Sequence, residues 1–270
     1  MQQLTVIKVG GKIVEDEQSL QQLLTDFAAI PESKVLVHGG GRSATRLAAE
    51  LGIESQMVGG RRITDSEMLR IVTMVYGGYV NKNIVARLQA VGVNALGLTG
   101  ADMNVMHACK RPPVTVKAAV LGEPADRTVD YGYVGDVDQC DGARLASVIS
   151  AHVVPVMAPL THDGEGHLLN TNADTIAAET AKGLAPYYDV TLVYCFEKAG
   201  VLRDAEDDDS VIPHITEPDF AQLVADGTIQ GGMIPKIENA LSACRAGVSK
   251  VVITRADRIG KPGGTVISLR

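Results

Sequence analysis

The sequence predicts an α/β protein whose mostly parallel central sheet is covered by helices on both faces. Short apolar runs typical of strands alternate along the chain with amphipathic segments of helical period. Repeated alternation of this kind favours parallel strands joined by right-handed helical crossovers. The chain has 270 residues, 46% hydrophobic and 21% charged, which suffices for one large α/β unit or two domains. Loops at the carboxyl ends of the strands would then share one edge of the sheet, where α/β proteins bind ligands.

The predicted elements follow one another in a regular order. Strands are predicted at 4–9, 34–37, 94–98, 153–158, 189–196, 250–254 and 265–269. Helices are predicted at 18–30, 43–51, 141–150, 172–182, 219–226 and 234–246. A capping box that begins at Thr64 and includes Glu67 predicts the start of a further, long helix that ends near Val91. Residues 111–138 contain a Pro-Pro pair, several valines and turn glycines, which predict antiparallel β excursions and loops.

Composition argues against several classes of function. The chain has 25 basic and 32 acidic residues, a net charge of −7, which is a poor match to nucleic acid. No Cys-x-x-Cys pair occurs among the four cysteines, so zinc and redox-dithiol sites have no support. No apolar run approaches the ~20 residues of a membrane span, and no secretory signal is recognisable. We therefore expect a cytoplasmic protein that binds neither nucleic acid nor membrane.

Two glycine-rich loops follow the first two predicted strands and predict an anion site. The first reads Lys-Val-Gly-Gly-Lys from Lys8, and the second reads His-Gly-Gly-Gly-Arg from His38. Without Cβ atoms, backbone N–H groups can approach an anion closely, and a helix that starts there adds its positive end. Each loop could instead be only a tight strand-to-helix turn, but two at successive strand ends, both with basic residues, favour a binding role.

Other motifs compete for the second loop. Gly39, Gly41 and Ala44 fit a loose dinucleotide fingerprint, but no acidic residue clearly ends a second strand about 20 residues further on. His-Gly-Gly-Gly is also similar to the oxyanion loop of lipases, which requires a Gly-x-Ser-x-Gly motif that this sequence lacks. A P-loop is excluded because no Gly-x4-Gly-Lys-Ser/Thr motif occurs.

Three further motifs place polar or basic groups at predicted helix starts. Arg61 and Arg62 precede the long helix, an Asn-Thr-Asn-Ala-Asp run begins at Asn170, and a Gly-Gly-Met-Ile-Pro-Lys run ends at Lys236. Ordinary helix caps and solvated surface charges would explain the first two. Lys236 is unfavourable at a helix N-terminus, which indicates an anion nearby.

Taken together, these motifs resemble the amino-acid kinase superfamily, and within it the N-acetylglutamate kinase family of arginine biosynthesis. The Lys-x-Gly-Gly loop, His-Gly-Gly-Gly, an Arg before the helix start, Asn-x-Asn-Ala-Asp and Gly-Gly-Met-x-x-Lys follow in the order of the family. The resemblance covers essentially the whole chain. It implies a three-layer αβα sandwich and transfer of the γ-phosphoryl group of ATP, with Mg²⁺, to the γ-carboxylate of N-acetyl-L-glutamate. Such a reaction is mostly positioning and charge neutralisation, because a carboxylate acceptor has no proton to lose.

The resemblance also implies a role for each candidate residue. Lys8 and Lys236 would stabilise the transferring phosphoryl group, with Asp174 orienting both. The remaining roles are phosphoryl binding by Gly10, Gly11 and Gly39, acylglutamate binding by Gly40, Gly41, Arg62 and Asn170, and nucleotide binding by Glu197 and Gly200. None of these residues is expected to be a metal ligand. A seam near 183–186 would divide the chain into an acylglutamate-binding and dimerisation lobe, 1–186, and an ATP-binding lobe, 187–270.

Three departures from the family pattern qualify these expectations. The stretch 195–200 reads Cys-Phe-Glu-Lys-Ala-Gly where the family has Ser/Thr-Asp-Val-x-Gly, so Glu197 would replace the usual Asp and the small hydroxyl residue is missing. The chain begins with its first strand, without the extra N-terminal helix of arginine-inhibited members, which implies an arginine-insensitive homodimer. Lys110 and Arg111 lie in a basic stretch that could serve a second carboxylate, so N-succinyl-L-glutamate is an alternative substrate.

The motifs are also compatible with other functions. Other kinases of the superfamily share the lysines and glycine loops, and a catalytically silent ligand-binding protein on the same fold or a dinucleotide-dependent dehydrogenase are the more remote alternatives.

Overall fold

A computed structural model of the chain describes residues 1–121, 125–204 and 206–270. The strands are β1 (Gln3–Val9), β2 (Ser33–His38), β3 (Met57–Val58), β4 (Arg61–Arg62), β5 (Ala95–Leu98), β6 (Met106–Lys110), β7 (Val114–Val116), β8 (Arg127–Val129), β9 (Gly135–Cys140), β10 (Val154–Met157), β11 (Leu160–His162), β12 (Leu168–Asn170), β13 (Asp189–Phe196), β14 (His214–Thr216), β15 (Lys250–Arg255) and β16 (Thr265–Ser268). The α-helices are α1 (Gly11–Glu15), α2 (Glu17–Ala28), α3 (Gly41–Glu50), α4 (Ser66–Val72), α5 (Asn81–Ala90), α6 (Ala118–Leu121), α7 (Gly142–Ser150), α8 (Ala173–Leu184), α9 (Glu217–Ala225) and α10 (Met233–Arg245). A π-helical segment, Thr73–Val80, joins α4 to α5.

The central sheet has eight strands in the order β14-β16-β15-β13-β1-β2-β10-β5. The six strands from β15 to β5 are parallel, and β16 runs antiparallel to β15. The prediction of a mostly parallel sheet is therefore confirmed. In register, Lys8 of β1 lies between Val37 of β2 and Tyr194 of β13, so three neighbouring strands end at the same level.

Helices pack on both faces of this sheet and form the predicted αβα sandwich. Alternation along β1 sends Leu4 and Val6 into one apolar core and Ile7 and Val9 into the other. The first core includes buried residues of α7, α8 and α10, and the second includes Phe27 and its neighbours in α2 together with residues of α3, α4 and α5. All four β1 side chains are fully buried, which explains why the strand reads as an almost continuous apolar run.

A smaller four-stranded sheet, β12-β11-β6-β9, continues from the carboxyl end of β10. The antiparallel pair β7–β8 confirms the predicted β excursions within 111–138, of which residues 122–124 lie outside the described residues. β9 begins in the same region, but its antiparallel partner β6 precedes it and was not predicted. Two short antiparallel pairs were not predicted. They are the β11–β12 pair and the β3–β4 hairpin.

The predicted capping box is wrong by one residue. Asp65, not Thr64, is the N-cap of α4, and its carboxylate accepts a hydrogen bond of 2.8 Å from the backbone N–H of Met68. The Thr64 hydroxyl instead donates to the carbonyl of Arg62. Asp is as good an N-cap as Thr, and Thr64 is fully buried, so packing decided between the two.

The proposed seam between the lobes falls at the end of α8. The central sheet continues across the two predicted lobes, because β1 of the first pairs with β13 of the second along six residues. The division at 186 stays a prediction. Among the described residues, no helix has the length and apolar character needed to cross a membrane.

Candidate active site

The candidate site lies where β1, β2 and β13 end and where α1, α3, α8 and α10 begin. α1 and α3 start directly after the glycines that follow β1 and β2. Their N-cap residues, Gly10 and Gly40, offer no side chain to the first helical N–H groups, and the same holds for Gly232 at the start of α10. Several helix-start N–H groups are therefore free of capping side chains at one edge of the sheet.

Lys8 and Asp174 form the central ion pair of this edge. Lys8 Nζ lies 2.8 Å from Asp174 Oδ1, and the lysine side chain is only 11% exposed. Asn172 caps α8 and accepts a hydrogen bond of 2.7 Å from the N–H of Asp174, which fixes the carboxylate in the first turn of the helix. The Tyr194 hydroxyl donates to the backbone carbonyl of Asp174 at 3.3 Å, and burial raises the pKa of Tyr194, so it remains a donor at neutral pH.

Lys236 approaches the same place from α10. Its Nζ lies 4.2 Å from the centre of the Phe196 ring, and Lys8 Nζ lies 6.0 Å from that ring. Both ammonium groups thus lie near the Phe196 ring at the end of β13, at distances that allow cation–π attraction. Within the described parts of the chain, Lys236 has no carboxylate within 4 Å, so Asp174 is paired with Lys8 alone.

The two glycine loops pack backbone against backbone. The N–H of Gly39 donates to the carbonyl of Val9 at 3.0 Å. A Cβ atom on Gly39 would lie 3.1 Å from the backbone nitrogen of Gly11, and one on Gly11 would lie 3.7 Å from the nitrogens of both Gly40 and Gly41. The backbone nitrogens of Gly11, Gly40 and Gly41 therefore converge, which is the arrangement that phosphoryl or carboxylate oxygens require.

His38 and Asn81 support the second loop and were not identified from the sequence as site residues. His38 is fully buried, and its Nδ1 lies 2.7 Å from the carbonyl oxygen of Gly39. The Asn81 amide lies 3.1 Å from His38 Nε2 and donates to the carbonyl of Val156 at 2.9 Å. Burial lowers the pKa of His38 to about 4, so the neutral ring donates from Nδ1 and accepts at Nε2. In the sequence, the signal that could have identified these two residues is that each is a polar residue within an otherwise apolar segment.

A cavity of about 180 Å³ opens beside the second loop. All of its lining residues lie in the predicted acylglutamate lobe, 1–186, and they include Gly39, Gly40, Gly41, Met57, Arg61, Arg62, Tyr76, Val134, Asn170 and Ala173. Asn170 ends β12, and its side-chain amide donates to the Thr64 hydroxyl at 2.9 Å. The structure therefore brings together the four predicted acylglutamate residues.

Arg62 is the buried cation of this cavity. It is 7% exposed and donates to the carbonyl of Gly41 at 2.8 Å, to the Thr45 hydroxyl at 3.0 Å and to the Ser55 hydroxyl. All of these acceptors are neutral. Among the described residues no carboxylate lies within 4 Å of Arg62, so its charge is available to an anionic ligand.

The predicted nucleotide-binding residues have visible structural contacts. Glu197 pairs with Lys12 at 2.9 Å, and the hydrogen bond from Lys12 lowers the pKa of the Glu197 carboxyl. A Cβ atom on Gly200 would lie 2.6 Å from the Thr265 hydroxyl oxygen, which accepts a hydrogen bond from the N–H of Val201. Close packing is therefore sufficient to explain why position 200 is a glycine. A nucleotide-binding role for Glu197 or Gly200 stays a prediction.

Lys110 and Arg111, considered for a second carboxylate, already have partners. Arg111 Nε donates to both carboxylate oxygens of Asp136 at 3.1 and 3.0 Å, and Lys110 Nζ lies 5.2 Å from the Tyr133 ring. Neither residue lines the 180 Å³ cavity.

The chemistry of this edge is cationic stabilisation rather than nucleophilic catalysis. Lys8, Lys236, Arg62 and the converging N–H groups all favour negative charge. Burial raises the pKa of the neighbouring Cys195 thiol to about 12, which leaves it protonated and unreactive.

Comparison with known proteins finds a matching family and several similar proteins. Residues 3–255 match the amino acid kinase family. An acetylglutamate kinase from Bacteroides thetaiotaomicron is 66% identical over 266 residues, 98% of each chain. The corresponding enzyme from Parabacteroides distasonis is 62% identical over 98% of this chain and 99% of its own. An acetylglutamate kinase from Methanopyrus kandleri is 38% identical over 98% of this chain and 100% of its own.

Solved structures share the fold. N-acetylglutamate synthase from Neisseria gonorrhoeae, complexed with coenzyme A and N-acetyl-glutamate, superimposes with a TM-score of 0.76 at 22% identity, over 99% of this chain and 59% of that one. Carbamate kinase from Giardia lamblia bound to AMP-PNP gives a TM-score of 0.67 at 15% identity, over 100% and 99% of the two chains.

Proposed function

This chain belongs to the amino acid kinase family, among its acetylglutamate kinases, and we propose that the sheet edge described above is its active site. The reaction transfers the γ-phosphoryl group of ATP to the γ-carboxylate of N-acetyl-L-glutamate and gives an acyl phosphate, a step of arginine biosynthesis. The observation that supports this site best is the Lys8–Asp174 pair beside the converging N–H groups of the two glycine loops. The relatives' names favour the acetyl compound over N-succinyl-L-glutamate.

The acylglutamate binds in the 180 Å³ cavity. Arg62, held by three neutral acceptors, binds the α-carboxylate, and the Asn170 amide lies in the same wall. Gly40 and Gly41 lie between Arg62 and the first loop, so the γ-carboxylate points toward Gly11 and Lys8. The buried Tyr76 ring closes the cavity on the side of the π-helical segment.

The phosphoryl group passes between Lys8 and Lys236. Negative charge spreads over its oxygens in the transition state, and the two ammonium groups near the Phe196 ring neutralise it. Gly10 and Gly11 add backbone donors, whereas the predicted donor Gly39 already uses its N–H in the hydrogen bond to the carbonyl of Val9. Asp174 holds Lys8 in place, since a lysine side chain has about 2 kcal/mol of rotamer entropy to lose on being positioned.

ATP enters with Mg²⁺ on its phosphates. The two carboxylates nearest the transfer point, Asp174 and Glu197, are each paired with a lysine. They therefore fit a magnesium ion that is bound mainly by ATP phosphates and water, as is usual in kinases. Bound there, the ion would neutralise phosphate charge, and the ribose and base would lie over the lobe 187–270, near Glu197 and Gly200. For this protein we propose a cytoplasmic location, as expected from the sequence.

The reaction is tested by mixing the enzyme and Mg-ATP with N-acetyl-L-glutamate, free L-glutamate or N-acetyl-L-aspartate. ADP release is recorded, and acyl phosphate is trapped with hydroxylamine. We expect turnover and hydroxamate with N-acetyl-L-glutamate only. ATP binding without turnover on any of the three would contradict the proposal and indicate a silent binding protein.

A further inference from the structure

A second arginine, Arg61, borders the same cavity and has no assigned role. It precedes Arg62 in β4, after the turn Gly59–Gly60, whose φ angles of 54° and 74° suit a two-residue hairpin. Successive residues of a strand point to opposite sides. Arg62 reaches α3, whereas the charges that act on Arg61 are those of Arg111 and Asp136, on the side of the smaller sheet. The two guanidinium groups therefore serve different parts of the cavity.

Arg61 has a charge without a partner. Its side chain is half-buried, and across residues 1–121, 125–204 and 206–270 it makes no hydrogen bond and has no carboxylate within 4 Å. Asp136, the nearest candidate, is already bound by Arg111 through both of its oxygens. Burial, and then the charge of Arg111, lower the pKa of Arg61, but a guanidinium remains charged at neutral pH. Because Asp136 is bound by Arg111, the Arg61 guanidinium is available to an anionic group of a ligand at this wall of the cavity.

A comparison of the carboxylates of the substrate with the cations of the cavity shows which anion Arg61 could bind. N-acetyl-L-glutamate has two, and the proposed function places the γ-carboxylate at the glycine loops and the α-carboxylate on Arg62. With both carboxylates assigned, the acyl group is the only part of the substrate left to contact the wall that contains Arg61. Met57, the cross-strand partner of Arg62 in the β3–β4 hairpin, is 53% exposed and adds a flexible side chain to the lining of the cavity.

We propose that the cavity accepts, in addition to acetyl, an acyl group that ends in a carboxylate, and that Arg61 binds this terminal carboxylate. The substrate class is then an N-acyl-L-glutamate made from a short dicarboxylic acid. This inference rests on the proposed function and extends its acyl range. It differs from the sequence-based expectation in its residue, because Lys110 and Arg111 are occupied and lie outside the cavity, whereas Arg61 is unpaired and lines it. The planar guanidinium matches a carboxylate with two parallel hydrogen bonds.

The test compares three substrates that differ only at the acyl group. They are N-acetyl-L-glutamate, N-succinyl-L-glutamate and the neutral isostere of the latter, in which a terminal amide replaces the carboxylate. We expect kcat/KM for the succinyl compound to exceed that for the amide by about tenfold or more, which corresponds to about 1.4 kcal/mol. Arg61→Met should remove that ratio mainly through KM and leave N-acetyl-L-glutamate within about threefold of the unmodified enzyme, while Arg61→Lys should restore part of the ratio.

Arg46→Met is the matched control, because Arg46 is an exposed arginine of α3 that does not line the cavity, and it should leave the ratio unchanged. Equal kcat/KM values for the succinyl compound and its amide in the unmodified enzyme would overturn the inference, whatever kinetics the variants show. An equal loss with all three substrates in Arg61→Met would also overturn it, since Arg61 would then act on the α-carboxylate or on folding. No turnover of any acylglutamate by the unmodified enzyme would contradict the proposed function itself, and the inference with it.

Discussion

At the residue scale, the positions of Lys8 and Asp174 explain how a flexible lysine becomes a fixed cation. Lys8 is the next-to-last residue of β1, is nearly buried and is held at 2.8 Å by a carboxylate in the first turn of α8. An ammonium group that needs no rearrangement when charge develops is worth more than one that must be ordered.

Replacement of Lys8 by alanine should therefore slow the phosphoryl transfer more than it weakens binding. By analogy with the loss of one preorganised donor, we expect kcat to fall by roughly 10²–10³. Steady-state kinetics of ADP release measure the effect, with the exposed Lys250→Ala, at the far end of β15, as a control that should keep its kcat. A near-normal kcat for Lys8→Ala would remove this lysine from the catalytic machinery.

His38 gives the protein a pH-dependent stability. Burial lowers the pKa of His38 from 6.5 to about 4, so between these values the unfolded chain binds a proton that the folded chain does not. The contribution is complete above pH 6.5 and is lost as the pH falls toward 4, by a total on the order of 3 kcal/mol.

The corresponding measurement is the free energy of unfolding at pH 7.5 and pH 5 for the unmodified protein and for His38→Gln. We expect a smaller difference between the two pH values in the variant, since glutamine does not titrate. The same difference in both proteins would show that His38 does not titrate as its burial implies.

At the element scale, the site depends on how closely the start of α3 approaches the π-helical segment. A Cβ atom on Gly40 would lie 2.8 Å from Cδ1 of the buried Tyr76 ring, which leaves no room without movement. π-Helical turns are uncommon and often lie at functional sites, and here the turn places Tyr76 in the cavity wall.

Gly40→Ala should therefore displace the second glycine loop and damage catalysis. A displacement of several tenths of an ångström in a positioning element predicts a loss in kcat/KM for N-acetyl-L-glutamate of roughly 10- to 100-fold. Gly78→Ala, in the same π-helical segment but without a neighbour within 4 Å of the added Cβ, is the control. Unchanged kinetics in Gly40→Ala would mean that the loop adapts without cost.

Several elements could be predicted from the sequence, and the exceptions have physical causes. Strand β13 was predicted at its observed bounds, because Val190 and the five residues from Leu192 to Phe196 form an apolar, largely buried stretch with no competing pattern. β11 and β12 were missed because three-residue strands are too short to show alternation. The π-helical segment was predicted only as helix, since its apolar residues fit either period.

The candidate site shows a similar division. Motif residues such as Lys8, Arg62 and Asn170 could be named in advance. The common edge of the parallel sheet accounts for the position of Lys8, whereas Arg62 and Asn170 reach the site from the β3–β4 hairpin and the smaller sheet. Contacts between distant segments could not be predicted. The His38–Asn81 pair joins residues 43 positions apart, and the pairing of Arg111 with Asp136 depends on the β6–β9 register.

At the scale of the whole molecule, the exposed surface next to β5 has the features of a self-association surface. Met74 and Tyr79 of the π-helical segment are 50% and 68% exposed, and Leu96 of the edge strand β5 is 40% exposed. Lys82 donates to the carbonyl of Gly97 at 3.0 Å, so the helix and the strand edge lie side by side. Exposed apolar side chains next to an unpaired strand edge favour self-association.

We expect a homodimer in solution that uses this surface. Sedimentation velocity should give about twice the chain mass for the unmodified protein and a shift toward monomer for Met74→Glu combined with Tyr79→Glu. Tyr187→Glu, an exposed tyrosine outside this surface, should leave the mass unchanged. A monomer in the unmodified protein, or a dimer that survives the double substitution, would place the interface elsewhere or exclude it.

The central claim is that the acylglutamate and the phosphoryl group meet at the common edge of β1, β2 and β13. A crystal structure with N-acetyl-L-glutamate, AMP-PNP and Mg²⁺ tests it most directly. The predicted result has the α-carboxylate on Arg62, the γ-carboxylate at the glycine loops, and the γ-phosphoryl group between Lys8 and Lys236. An acylglutamate bound instead in the 490 Å³ cavity between α2 and the β15–β16 loop, lined by Thr5, Thr191 and Arg258, would contradict the account.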